Sequence, residues 1–554
     1  MVQSQFARVG VVLASEDCYS NWYGEIFRQI GIVCEIGDEK LLEQIGEYDV
    51  IVLCGNGQLS LDNKERVRRW LGRMSTQLLV TGSFWDGEFL FDIVASGDRY
   101  SRNRVKLVDS EESPLASDTT GGIFIGGEQA RKLPGSVLAQ DEAGNPLFST
   151  GSQLHFYGPH LGKTAALIVQ GRGVSSDGIG PNDLSCYLED GFLRAEDGIA
   201  LEWGDRESVD GDEFPAFLTP HVDILRDQFA RLTLHAIGQT GLAPALLWHL
   251  PGNADSAFTV GIECDGSTLG EIKAAAGIVA KFAVRPAWLV LPSGLSKEIY
   301  KTFTQWGHDI GHLYLPEDQS IAADAVRIQN LALSRSVGNQ LTVIKGADGA
   351  WFGLTRFYDL ATTSGALTSM CKEGRQPGTS GFAFGTSRPF CPQARKGKYE
   401  LIEYPAVAFA PGWVTSNATA EALIEPVKRH HGVYRFDFKT SFAPERGFEN
   451  GVVRTLLALR EAGMKNFSPS ELSKYERNRR SIRATVEDGR LELMSDHPVA
   501  QITVMVGTHL PLISGKHDSA EETVLRYGQR WRTLSLTLES RIRSGVAIKQ
   551  PQVA

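Results

Sequence analysis

The chain has 554 residues, 42% of them hydrophobic and 22% charged, with a formal net charge of −10. That length exceeds what one hydrophobic core holds, so roughly two to four domains are expected. The acidic balance argues against a binder of nucleic-acid phosphates and against an anionic membrane surface. The seven cysteines are odd in number and no pair has C-x-x-C spacing, which favours reduced thiols and a cytoplasmic address over a disulfide framework. The first residues show no basic stretch followed by an apolar core, so no signal peptide is expected. No apolar run reaches the length of a membrane-spanning helix, so no membrane insertion is expected either.

Residues 7–95 alternate short apolar runs with amphipathic stretches. Strands are predicted at 9–13, 33–36, 48–54 and 77–81, and helices at 21–31, 39–45 and 62–74. Such a pattern means a parallel sheet covered on both faces, a flavodoxin-like arrangement. The turns Cys54-Gly-Asn-Gly-Gln58 and Thr81-Gly-Ser-Phe-Trp85 follow strands at the end where such folds place ligands. The region resembles the class I glutamine amidotransferase-like fold. That resemblance implies a cysteine in a Gly-x-Cys-x-Gly elbow, which Thr81-Gly-Ser-Phe-Trp85 does not supply. Cys54 lies one strand earlier. The domain therefore reads as catalytically silent, with Ser83 or Cys54 as nucleophile the less favoured alternative.

Residues 100–205 are rich in strands and turns, including Thr164-Ala-Ala-Leu-Ile-Val-Gln170, and read as a β insertion that returns to the sheet. The run Gly171-Arg-Gly-Val-Ser-Ser-Asp-Gly-Ile-Gly180 lacks the P-loop lysine and opens no helix, so it reads as a plain loop. A helix at 222–237 closes a first domain of residues 1–250, and Pro251-Gly-Asn-Ala-Asp255 is a linker. Residues 251–480 are predicted as a distorted (β/α) barrel and 481–554 as a small C-terminal β module of alternating polar and apolar residues.

The barrel opens with Ser256-Ala-Phe-Thr-Val-Gly-Ile-Glu-Cys-Asp-Gly266, a buried strand ending in charge. Alternate residues of a strand share a face, so Glu263 and Asp265 point the same way. A helix follows at 268–282, then the apolar run Arg285-Pro-Ala-Trp-Leu-Val-Leu-Pro292, then a helix into Trp306-Gly-His-Asp-Ile-Gly-His-Leu-Tyr-Leu315. His308 and His312 share a face whether that segment is strand or helix. Carboxylates and imidazoles at strand ends can converge on one metal or one substrate.

This order resembles the NodB-type polysaccharide deacetylases (carbohydrate esterase family four). The resemblance implies a distorted barrel, a first strand ending in a general base and a metal ligand, and two histidines after the Gly-His-Asp-Ile-Gly turn. Asp265 matches the ligand position, and Glu263 or Cys264 the base position. In strict register Leu313 and Glu317 occupy the histidine places, and Lys439 in Val433-Tyr-Arg-Phe-Asp-Phe-Lys-Thr440 stands where a late histidine is expected. Both active-site motifs are thus degenerate. Lys345 and Trp351, with Asp348 between them, fall in the neighbourhood of a substrate-side motif. Arg388, in Gly385-Thr-Ser-Arg-Pro-Phe390, is placed to clamp an anionic group.

Two functions follow from this reading. In the first, a divalent metal, zinc before others, is held by Asp265, His308 and His312. Glu263 acts as base, Trp351, Arg388 and Lys345 contact substrate, and an N-acetyl group on a sugar or related small amide is hydrolysed. In the second, both α/β domains are retired enzymes, and the protein is a carbohydrate-binding or assembly scaffold in polysaccharide biosynthesis, with a homo-oligomer as a further expected partner state. Each sharp reading has a plainer rival. The acids at 263 and 265 serve equally to cap the following helix. Cys264, between two acids, reads as an inert packing thiol. Asp437 and Lys439 read as a solvated pair, and His430 and His431 as surface residues.

Overall fold

A computed structural model describes residues 6–85, 93–108, 113–115, 121–316, 323–351, 353–394, 397–487, 490–507, 512–514, 522–540 and 544–548. Glu317 lies outside them. The chain divides into two compact units: residues 1–166, 224–253 and 475–554 form one, and 167–223 with 254–474 form the other. No described helix is long and apolar enough to cross a membrane.

In the first unit, β1 (Val9–Leu13), β2 (Glu35–Gly37), β3 (Val50–Cys54) and β4 (Gln77–Thr81) are parallel, in the order β2-β1-β3-β4. The strand Leu154–Tyr157 adds in parallel beside β4, and three antiparallel strands extend the sheet beyond it. Every residue of β3 and β4 is buried, as their continuous apolar sequence requires. Val12, Ile51, Leu53, Leu78 and Val80 pack with Trp70 of helix α1 (Leu61–Leu71).

The structure departs from the sequence boundaries in three places. Residues 164–168 are helical, within Leu161–Ile168, not a strand: the Thr164 amide and hydroxyl both donate to the His160 carbonyl, closing the first turn after Pro159. Residues 167–223 group with the second unit. The C-terminal strands group with the first, because Val499–Gly507 pairs antiparallel with Ala245–Leu247.

The second unit is built on a curled, all-parallel half-barrel sheet. Its strands, in chain order, are β5 (Ala257–Cys264), β6 (Ala287–Val290), β7 (Asp309–Tyr314), β8 (Val343–Gly346), β9 (Thr368–Ser369), β10 (Ile402–Glu403), β11 (Ala408–Phe409) and β12 (Val433–Lys439). Across the sheet they run β10-β9-β8-β7-β6-β5-β12-β11, and Lys465–Asn466 pairs with the start of β5. All eight residues of β5 are buried, consistent with a central strand covered on both faces.

The register sorts side chains between two faces. Ile262 pairs with Trp288 and Phe438, and Cys264 with Val290. This outer face packs on helices α2 (Leu269–Ala280), α3 (Lys297–Gln305) and Arg446–Glu461 through Ile272, Val279, Tyr300, Phe303, Phe448 and Leu456. α2 starts at a capping box in which Thr268 and Glu271 satisfy each other's amides, so Glu263 and Asp265 are not needed to cap it. The inner face carries Ala287, Leu289, Leu313, Val343 and Met370 as an apolar floor, and every charge discussed next.

Candidate functional site

Glu263 ends the inner face of β5 and is buried. Arg375 holds it with two prongs, Nη1 to Oε1 at 2.7 Å and Nη2 to Oε2 at 3.2 Å. Lys345 on β8 lies 2.7 Å from the same Oε1. The Lys345 ammonium also reaches Glu373 at 2.6 Å and Asp437 on β12 at 2.5 Å. Arg435 pairs with Asp437 through Nε at 3.0 Å and again through Nη2, and spends its other donors on the Tyr404 and Met370 carbonyls. Three cations, Lys345, Arg375 and Arg435, thus meet three anions, Glu263, Glu373 and Asp437, and all six are buried. Such a cluster is tolerable without water only because the charges cancel and their lone pairs and protons are used.

The cluster sets the protonation of its members. Burial pushes the Glu263 carboxyl up, but the Arg375 and Lys345 charges beside it prevail and hold it at about 2. Asp437 is likewise held well below the usual carboxylate range, against burial, by Arg435 and Lys345. Burial disfavours the Lys345 ammonium, yet Asp437, Glu263 and Glu373 raise its pKa. A carboxylate at about 2, with both oxygens engaged by a guanidinium, is a poor general base.

Asp265 lies one residue past β5 and pairs with Lys439 at 2.8 Å. Lys439 equally donates to Asp348, at 2.8 Å, and Arg375 Nη2 lies 3.5 Å from the same Asp348 oxygen. These three partly exposed groups form the mouth of the inner face, with one cation against two carboxylates. Asp348 holds a left-handed backbone, φ 52°. Burial raises its carboxyl, but the Lys439 contacts outweigh that and lower it.

The two histidines lie elsewhere. His312 pairs in register with Val290, which pairs with Cys264, so it belongs to the outer face and not to the face of Glu263. It is buried, its Nε2 is 3.2 Å from Gln329 Oε1 of helix α4 (Ala323–Val337), and its Nδ1 has no partner among the described residues. His308 precedes the same strand with the same parity, and its Nδ1 accepts from the Trp288 indole at 3.0 Å. Burial lowers both imidazoles to about 4, with Arg285 assisting at His308. The expected set of Asp265, His308 and His312 is therefore split across a sheet, with its carboxylate committed to Lys439. Among the described residues no group of three or more His, Cys, Asp or Glu is placed to hold a metal ion. The residues do not fit a zinc centre.

The expected substrate contacts are buried as well. Lys345 is inside the charge cluster. Trp351 is fully buried, with the Lys372 ammonium 3.1 Å from its ring centroid and Gly198 against its other atoms. Arg388 is buried and donates from Nε to the His430 carbonyl. Burial pushes the Cys264 thiol far up, which leaves it inert.

Sequence reasoning passes over Glu373, Arg375 and Arg435, and the solvated pair expected of Asp437 and Lys439 does not form: Asp437 is buried with Lys345 and Arg435, while Lys439 pairs with Asp265 and Asp348. The signal was present in Val433-Tyr-Arg-Phe-Asp-Phe-Lys439, where three charges alternate with aromatics on an apolar strand. That pattern puts Arg435, Asp437 and Lys439 on one face of a buried element.

No known family profile matches the chain, and no curated protein matches it. Among solved structures, the carbohydrate deacetylase Agd3 aligns over 99% of this chain and 100% of its own, with 8% identity and a TM-score of 0.38. PuuE allantoinase covers 41% of this chain and 91% of its own, with 8% identity and a TM-score of 0.31. A family 4 acetyl xylan esterase from Clostridium thermocellum, solved with a cobalt ion, covers 40% and 91%, with 14% identity and a TM-score of 0.25. Likenesses this distant say nothing of activity.

Proposed function

We propose that the half-barrel is a polysaccharide-deacetylase-like shell that binds carbohydrate at the mouth of its inner face and does not hydrolyse it. The observation that supports this reading is the engagement of Glu263 by Arg375 and Lys345: the acid that would take a proton from water is a permanently paired carboxylate. The imidazoles that would complete a metal set face the helices instead. What the mouth offers is a short line of hydrogen-bonding groups, Asp265, Lys439 and Asp348, suited to sugar hydroxyls.

The test is acetate release from N-acetylated oligosaccharides with and without added zinc, run beside equilibrium binding of the same sugars. No acetate is expected in either condition, with binding that weakens in Asp348→Asn and Lys439→Met. Zinc-dependent release abolished by Asp265→Ala would overturn the reading.

In the first unit we read the strand order β2-β1-β3-β4 as a flavodoxin-like, amidotransferase-like shell without a nucleophile. Cys54 is fully buried and burial pushes its thiol well up. Ser83 Oγ donates to the Gly55 carbonyl at 3.0 Å and faces no described histidine at hydrogen-bond distance.

A further inference from the structure

The first unit holds a cavity of about 330 Å³ at the carboxyl ends of β3 and β4. Asn56, Gly57 and Gln58, which follow β3, form one wall, and Ser83, Phe84 and Trp85, which follow β4, form the floor. The antiparallel ribbon of Val94–Arg99 and Glu128–Lys132 closes the far side with Asp98, Arg99, Glu128 and Gln129. Carboxyl ends of parallel strands are where open α/β sheets bind ligands.

Trp85 distinguishes this cavity from an ordinary surface cleft. It is 1% exposed, yet its indole Nε1 has no hydrogen-bond partner among the described residues. A buried indole N–H without an acceptor forfeits a hydrogen bond that water gave it in the unfolded chain. Trp85 also holds φ 47°, a conformation disfavoured for a bulky residue. Gly57 makes room for it: a Cβ there would fall 2.5 Å from the indole ring. The strained Trp85 backbone and the bare α-carbon of Gly57 together seat one indole beneath the cavity.

The other lining groups indicate what fits. Arg99 is met by Glu128 at 3.3 Å, and the second Glu128 oxygen accepts the Phe84 amide at 2.8 Å. With Asp98 beside them the rim carries one cation against two carboxylates, which disfavours an anion. Asn56, Gln58 and Gln129 each both donate and accept, a pattern that matches hydroxyl groups. The volume falls at the lower end of small-ligand pockets. We infer that this cavity is a binding site for an uncharged, hydroxyl-rich ligand of one or two sugar rings, held by the Asn56, Gln58 and Gln129 amides over the buried Trp85. This site is independent of the half-barrel reading.

The test uses full-length protein, saturation-transfer NMR and calorimetry, with cellobiose and N,N′-diacetylchitobiose as neutral probes and glucuronate as an anionic one. A neutral probe is expected to bind and glucuronate not to. Affinity should fall about five- to tenfold in Gln129→Ala, the worth of one hydrogen bond. Gln58→Ala, a change at an exposed position that leaves the fold alone, should weaken it also. In a Lys439→Met background, which weakens the half-barrel mouth, the losses from the cavity variants should persist. Binding lost in Lys439→Met but kept in both cavity variants would assign it to the half-barrel and overturn the inference. Preference for glucuronate, or no binding of either neutral probe, would overturn it as well.

Discussion

Lys345 Nζ and Glu263 Oε1 meet at 2.7 Å on the inner face of the half-barrel, on side chains 0% and 1% exposed. The ammonium touches Glu373 and Asp437 as well, so one amine serves three carboxylates. Lys345→Met keeps most of the volume and removes that charge. Three acids then face two guanidiniums, and a loss of about 3–5 kcal/mol is expected, the range for breaking a buried ion pair from one side. The deficit should narrow as pH falls from 7 to 4, because protonating one of the crowded acids relieves it. Urea denaturation of both proteins at the two pH values checks this, and a loss below about 1 kcal/mol at pH 7 would show that the cluster does not depend on the amine.

The opposite-face position of His312 has its own consequence. Its imidazole is held at about 4 by burial, against an ordinary value of 6.5. The neutral form is therefore the one that folds. Between pH 4 and 6.5 the unfolded chain binds more protons at this position than the folded one, so stability rises with pH there. The contribution is complete above 6.5 and is lost as pH falls toward 4. It is on the order of 2 kcal/mol or more. His312→Gln should flatten the stability profile between pH 7 and 5 while leaving zinc content unchanged. A variant as acid-sensitive as the parent, or one that has lost a bound zinc, would place the imidazole elsewhere.

How much of this was legible in the sequence depends on how local the information is. The apolar run of β5 and the alternation in β12 are short-range patterns, and each sits close to where the residues place it. The face on which His312 lies is not short-range. It depends on the register of β7 against β6 and of β6 against β5, and a one-residue slip in either would reverse it. Glu373 and Arg375 come from an irregular stretch between β9 and β10, with no periodicity to mark them as partners of β5. The acids and histidines stand out in the sequence, but Arg375, which grips Glu263 with both prongs, comes from a part of the chain that carries no pattern.

Gly261 illustrates how tightly β12 is seated. Its amide donates to Asp437 Oδ1 at 3.1 Å, and a Cβ built there would lie 2.4 Å from that same oxygen. Gly261→Ala must therefore push Asp437 away from both Arg435 and Lys345. Overpacking costs about 1–3 kcal/mol and an unmet buried acceptor adds a similar amount, so a loss of about 2–5 kcal/mol is expected. Thermal unfolding checks it. The same change at Gly277, whose Cβ would meet nothing within 4 Å on α2, should be neutral or stabilising.

The last expectation concerns the segment over Trp351. Residues 171–193 form no helix or strand, and Leu184 and Tyr187 stand 85% and 70% exposed on it. Its far end is fixed by Glu196, a buried carboxylate that accepts the Arg375 amide at 2.7 Å and the Thr379 hydroxyl at 3.0 Å. Arg375 also grips Glu263 with its guanidinium, so the latch and the charge cluster share one residue. Glu196→Ala leaves that amide without its acceptor and should loosen the segment before it unfolds the sheet. Chymotrypsin cleavage at Tyr187 is then expected to quicken several-fold at a temperature where circular dichroism shows no loss of fold. Cleavage no faster than in the parent would mean that the segment is held by its internal turns and not by Glu196.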